Sequence, residues 1–316
     1  LWSEDDDEQD LGVEMKVVEL SGGVGGARMA RGLAAMPDVD LTVVVNVGDD
    51  EEIHGLHVSA DLDTVIYTLA GVEGPDGWGR SADTFVLNDE LARFGVDNRF
   101  RLGDLDLALN LFRTQALAAG KPLSVITAEV ADSFDLRADV VPATNDTLRT
   151  EVRIEGDEWL SFQEYFVLRG NRDEVKELRY PGSEAARPAP RVLEAIGAAD
   201  VVVIGPSNPP LSIWPILAIN EIRQAIRIHQ RVVAVSPLFG GKALKGPADR
   251  VMASLGLPAG NAGVIEAYAG LIERLVVDTR DGDDAGQLGG VEIMVTDTRI
   301  ARAVRAREFA EEILAV

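Results

Sequence analysis

The chain reads as an α/β protein built on a doubly wound, mostly parallel sheet, with a small antiparallel and helical insertion. Three observations lead there. Short runs rich in Val and Ile recur along the 316 residues, each continuously apolar, as strands buried on both faces are. Segments of helical period alternate with them, as crossovers between parallel strands require. The first apolar run, Lys16 to Leu20, empties into the glycine turn SGGVGGAR and then into a helix-forming segment, which is how a phosphate-binding βα turn is written.

Residues 1–14 (LWSEDDDEQDLGVE) are acidic, lack a hydrophobic period and are expected to be a disordered leader. The first strand, Lys16 to Leu20, and a helix from about Gly25 to Met36 lead to a second buried strand, Leu41 to Val47 (LTVVVNV). Amphipathic helices are expected near Leu62 to Ala70, Asp83 to Phe94, Leu105 to Ala119 and Leu123 to Asp132. From Arg137 to Tyr180 the segments RADVVPAT, RTEVRIEG and FQEYFVLRG alternate and hold β-branched or aromatic residues, which predicts an antiparallel insertion over 137–186. After the proline-rich Arg187 to Pro190, buried strands return at Asp200 to Ile204, Arg231 to Ser236, Leu275 to Asp278 and Val291 to Val295, and a helix near Ile300 to Leu314 closes the chain. The core is therefore expected over 15–136 and 187–316.

Composition narrows the function. No run of eighteen apolar residues exists, which argues against a membrane span. With no cysteine there are no disulfides, thiolate metal sites or cysteine nucleophiles, and the expected compartment is the cytoplasm. The 53 acidic against 30 basic residues give a net charge of −23, which repels nucleic acid. Only five of the basic residues are lysines, and the acidic, Ala- and Val-rich balance is that of a salt-loving organism's cytoplasm. An anionic ligand therefore needs a local positive device: backbone N–H groups, a few Arg or Lys, or a metal.

In such a sheet ligands gather beyond the carboxyl ends of the strands. Gly22, Gly23, Gly25 and Gly26 are expected there, glycine allowing positive φ and close approach of a ligand oxygen. The turn is not the dinucleotide fingerprint, because Arg28 stands where the third glycine belongs. Nor is it a P-loop, which needs Gly-Lys followed by Ser or Thr. After the second strand come Asn46-Val-Gly-Asp-Asp50, Glu51, Glu52, His54, His57 and then Asp61-Leu-Asp63-Thr64. Asp61 suits a helix N-cap or first turn. Asp49 and Asp63 read as a hard-cation site, since Mg²⁺ takes carboxylate and phosphate oxygens together. In Arg101-Leu-Gly-Asp-Leu-Asp106 helix capping explains one of two carboxylates. With no cysteine and only His229 besides, His54 and His57 do not make a zinc site; one is expected at a ligand and the other in a structural role. Ser207 and Asn208, in the rigid turn GPSNPP, and Lys242 and Lys245, in a glycine-flanked loop, complete the candidates for anion binding.

Taken in order, SGGVGGAR, NVGDDEEIHG, ADLDTVIYTL, RLGDLDLAL, GPSNPPLSIWPIL and SPLFGGKALKGPAD resemble the 2-phospho-L-lactate transferase family of coenzyme F-420 biosynthesis, and the likeness runs from Met15 to the C-terminus. The resemblance implies a Rossmann-like core, often dimeric. It implies a phosphotransferase that joins the deazaflavin Fo to the phosphoryl group of a guanosine diphosphate adduct of lactate or enolpyruvate, releasing GMP with Mg²⁺. It places the diphosphate and guanosine near Gly22, Gly23, Gly25 and Gly26, with Ser207, Asn208, Lys242 and Lys245 beside them, and puts Asp49 and Asp63 at the metal and the attacking alcohol. Two other readings stand against it. Relatives with the same glycine turn bind UDP-sugars as regulators without catalysis, but their NDDGGS-like strand end is replaced here by Gly48-Asp-Asp-Glu-Glu52. An NAD-dependent oxidoreductase needs the missing fingerprint and an acid at ribose distance, where Asn46 stands.

Overall fold

The computed structural model describes residues 14–315, so the expected leader lies, but for Glu14, outside the described residues. Seven strands form the central sheet: β1 (Met15–Ser21), β2 (Val39–Val45), β3 (Asp139–Pro142), β4 (Val201–Ile204), β5 (Val232–Val235), β6 (Arg274–Asp278) and β7 (Glu292–Thr296). Their spatial order is β3-β2-β1-β4-β5-β6-β7, and every neighbouring pair is parallel. The chain thus winds outward from β1 to β3, returns past β1 to β4, and winds outward again. A crevice opens at that reversal, beyond the carboxyl ends of β1 and β4. Val201–Ile204 and Val232–Val235 are buried at every position, which is why those runs show no alternation.

Five helices lie between β1 and β3: α1 (Val24–Ala34), α2 (Ala60–Leu69), α3 (Val86–Arg93), α4 (Asp104–Ala118) and α5 (Leu123–Ser133). The closing helix Ala303–Leu314 packs on α1. A Cβ on Gly32 would lie 2.3 Å from the Ala306 carbonyl oxygen, so glycine is what lets the two helices meet.

The insertion is smaller than the sequence suggests. Asp139–Pro142, read as part of it, pairs parallel with β2 and is an edge strand of the main sheet; no helix stands between it and the antiparallel strands that follow, so chain order did not distinguish the two. The antiparallel part is a three-stranded sheet of Glu151–Ile154, Trp159–Ser161 and Val175–Arg179. Its small core of Val152, Ile154, Leu160, Tyr165 and Val175 includes Leu211 and Val251 from the main body, which docks it there.

Candidate active site

Helix α1 begins at the reversal point with Gly23 as its cap, no side chain hydrogen-bonded to its first turn and no acid in that turn. Its opening N–H groups and the positive end of its dipole are therefore left to an anion. The expectation of positive φ does not hold, for none of Gly22, Gly23, Gly25 and Gly26 adopts it. Close packing is what demands glycine. An added Cβ would lie 2.1 Å from the Pro206 carbonyl oxygen at Gly25, 2.2 Å from Ser21 Oγ at Gly26, 2.4 Å from Ser212 Cβ at Gly22 and 2.8 Å from Asp61 Oδ1 at Gly23. The turn is thus clamped to the connector after β4, and the Gly22 N–H donates to Ser207 Oγ at 3.2 Å.

Asn46, fully buried at the end of β2, organises the carboxylates. Its Oδ1 accepts from the Gly48 N–H at 2.7 Å and its Nδ2 donates to Asp61 Oδ2 at 3.0 Å. Asp49, Asp50, Asp61 and Asp63 are all buried. Two of them face basic side chains. Arg113 of α4 holds both Asp63 oxygens, Nη1 to Oδ2 at 3.1 Å and Nη2 to Oδ1. Asp50 Oδ2 meets His57 Nε2 and Ser59 Oγ, each at 2.9 Å. Among the described residues Asp49 and Asp61 have only neutral donors near them, Asn46 chief among these. Asp49 Oδ1 is buried with no hydrogen-bond partner. Burial, together with the neighbouring Asp61 charge, raises the Asp49 pKa well above the usual carboxylate range. Burial pushes Asp61 up to about 7, against the pull of the Asn46 amide. Burial raises Asp63 as well, with Arg113 opposing it.

The structure therefore sorts the predicted acids differently from their spacing. Asp49 lies in the cluster; Asp63, expected beside it at the cation, is turned onto Arg113. Asp61, read as a capping residue, is the one that adjoins both Asp49 and the glycine turn. Among the described residues no three His, Asp or Glu side chains are grouped to hold a metal ion by themselves. A divalent cation here would draw its remaining ligands from substrate oxygens and water, as Mg²⁺ does. The orphaned Asp49 oxygen and the two acids without a basic partner fit that demand.

Three residues carried no signal in the sequence and come from the insertion. Gln163 Nε2 donates to the Asp49 carbonyl at 2.8 Å, the Thr150 N–H donates to the Gly48 carbonyl at 2.7 Å, and the Tyr180 hydroxyl donates to the Pro210 carbonyl at 2.6 Å. They draw the insertion over the Asp49 loop.

Asn208 is occupied as a helix cap, its Oδ1 accepting from the Leu211 N–H at 3.3 Å. Lys242 and Lys245 lie on and just after the hairpin of Leu238–Phe239 and Lys242–Ala243. Asp281 secures its turn, taking the N–H groups of Gly240 and Gly241 at 3.0 and 2.7 Å. Lys242 is exposed, whereas Lys245 Nζ reaches the Asp76 carbonyl at 2.8 Å and lies 5.5 Å from the Trp78 ring centroid. Asp104 caps α3, accepting from Val86 and Leu87 N–H at 3.1 and 3.0 Å, while Asp83 accepts from Leu105 N–H of α4 at 2.9 Å. Each helix is thus capped by an acid from the other's flank. Asp106 is left over, pushed up to about 6 chiefly by burial. His54 sits on an exposed turn at φ 53°, and His229 bonds Ala199 and Arg231 backbone in a structural role.

A protein-family model described as 2-phospho-L-lactate transferase CofD matches residues 17–302. The chain belongs to the 2-phospho-L-lactate transferase family. It is 43% identical over 318 residues to a phosphoenolpyruvate transferase of Streptomyces griseus, covering 95% of this chain and all of the relative. It is 39% identical over 308 residues to a 2-phospho-L-lactate transferase of Methanopyrus kandleri, covering 96% and 98%. A solved structure of a UPF0052 family member from Bacillus halodurans superposes with a TM-score of 0.64 at 20% identity, covering 96% of this chain and all of that one; that likeness concerns the fold alone. The chain is accordingly a transferase on an α/β parallel sheet.

Proposed function

We propose that this transferase joins the deazaflavin Fo to the phospholactyl or phosphoenolpyruvyl group of a guanosine diphosphate adduct, with release of GMP, in coenzyme F-420 biosynthesis. The observation that carries the reading is the pair Asp49 and Asp61, buried without a basic partner among the described residues, with Asp61 directly beside the glycine turn and Asp49 next to Asp61. A diphosphate on that turn brings negative charge toward two acids, an arrangement that calls for a cation between them.

Asp49 and Asp61 would hold Mg²⁺, which when bound offsets charge on the diphosphate. The first-turn N–H groups of α1 bind phosphate oxygens and Ser207 supports the turn. Asn208, Lys242 and Lys245 stand at the rim for the nucleotide. The terminal ribityl hydroxyl of Fo attacks the distal phosphorus in line; its O–P bond forms as the bond to the bridging oxygen breaks, and GMP departs with that oxygen. The hydroxyl proton passes to a carboxylate oxygen of Asp49, whose Oδ1 finds no hydrogen-bond partner among the described residues. Asp63, locked to Arg113, orients the start of α2 rather than the substrate.

The enzyme is proposed to work in the cytoplasm as a homodimer. The exposed apolar side chains Val86, Phe94, Leu111 and Phe112 on or beside α3 and α4 support association between copies, which light scattering tests directly. The decisive experiment incubates the protein with Fo, Mg²⁺ and each guanosine adduct and weighs the deazaflavin product. A mass gain of one phospholactyl or phosphoenolpyruvyl group is expected; no gain with either donor overturns the reading.

A further inference from the structure

We infer that Arg28 and Lys245 form an oxyanion-binding corner under the loop 74–80, which grips an acidic group of the guanosine donor. The inference rests on the transferase reading above and adds a residue and a substrate group to it.

Arg28 stands on the second turn of α1, and long helical side chains lean back over the turn N-terminal to them. At the place where a Gly77 Cβ would stand, Arg28 Nη2 is 3.5 Å away and Val24 Cγ1 is 2.7 Å away. The guanidinium therefore lies beside the first residue of α1, beneath the loop. It makes no ion pair or hydrogen bond among the described residues. The acid that influences it, Glu73, is held by Arg31 at 2.7 Å. Lys245 approaches the same loop from the hairpin and, among the described residues, finds only the Asp76 carbonyl and the Trp78 ring.

Two cations thus converge on one loop, Arg28 beside the first residue of α1, and among the described residues neither forms an ion pair with a carboxylate. On a chain of net charge −23 counter-charges are plentiful, and an arginine that is partly withdrawn from water leaves its fork of donors unmet. That fork matches a carboxylate or phosphate edge with two parallel bonds, and an ammonium adds a point charge. The donor carries both kinds of oxyanion, the carboxylate of its small acid and the oxygens of its diphosphate. The same residue that spoils the dinucleotide fingerprint at its third glycine becomes the anion contact.

Binding of GDP and of the intact lactyl and enolpyruvyl adducts to wild type, Arg28→Met, Arg28→Lys and Lys245→Met, measured by calorimetry with Mg²⁺, tests the corner. Arg28→Met is expected to weaken adduct binding by about 10-fold or more, as loss of a hydrogen bond to a charged group implies, and Arg28→Lys to recover part of it. Loss shared by GDP assigns the contact to the diphosphate; loss confined to the adducts assigns it to the carboxylate. Lys245 is exposed, so Lys245→Met keeps the fold and is expected to show a smaller loss, while a thermal melt checks Arg28→Met. Unchanged affinity in both methionine variants overturns the corner alone. A wild-type protein that binds no guanosine compound overturns the transferase reading and the corner together.

Discussion

Asp61 and Asp63 stand two residues apart on the first turn of α2 and are equally buried, 8% and 7% exposed, yet the fold treats them in opposite ways. Asp63 is given a guanidinium. Asp61 is given an amide, a second acid at Asp49 and the edge of the glycine turn. Burial raises proton affinity at both, but only Asp63 has a nearby cation to oppose it. The lesson is that a cluster of acids divides by what faces each one: matched acids hold elements together, and unmatched acids are free to take a metal ion or a proton.

Breaking the unmatched half should have the largest effect. Asp49→Asn keeps the shape and removes the charge, and turnover is expected to fall roughly 10²- to 10⁴-fold while the melting temperature stays level or rises; any Mg²⁺-induced rise in melting temperature should vanish with it. Full activity in this variant would erase the distinction between the halves. Breaking the matched half should instead cost stability. Arg113→Met leaves Asp63 buried and unpaired, and denaturant unfolding is expected to show a loss of about 3–5 kcal/mol.

Glu19, in the middle of β1, sharpens the contrast because among the described residues it has neither a charge partner nor a hydrogen bond on either oxygen. Its burial raises its pKa well above 4.5. Folding must then keep a proton on it, so the stability present below pH 4.5 is lost as pH rises toward the folded-state value. Glu19→Gln is expected to be near neutral at pH 4 and to stabilise by about 1–3 kcal/mol at pH 8; equal effects at both pH values would refute a buried neutral acid. The smallest effect belongs to the helix caps beyond the cluster. Asp104→Ala should loosen the start of α3 without unfolding the protein, seen as faster amide exchange at Val86 and Leu87.

The sheet was largely legible because each core strand is short and Val-rich. The exception, Asp139–Pro142, runs on to the antiparallel strands with no helix between, so the strand-and-helix rhythm that marks the other core strands does not separate it from the insertion. The site was legible in part. Asp49 could be found because it follows a strand, and the glycine turn because it precedes a helix. The reason for those glycines could not, since it lies in Pro206, Ser212 and Asp61, which meet the turn only after folding. Gln163 and Thr150 reach the Asp49 loop from across the chain and bear no motif.

By itself, then, the sequence determined the alternation of strand and helix, the glycine turn at the first crossover and the reservoir of acids after the second strand, because these depend on local period and residue type. Which acids are neutralised and which are left with raised proton affinity was decided only by the tertiary structure. Arg113 lies fifty residues from Asp63, and what a buried charge faces depends on which side chains packing brings to it.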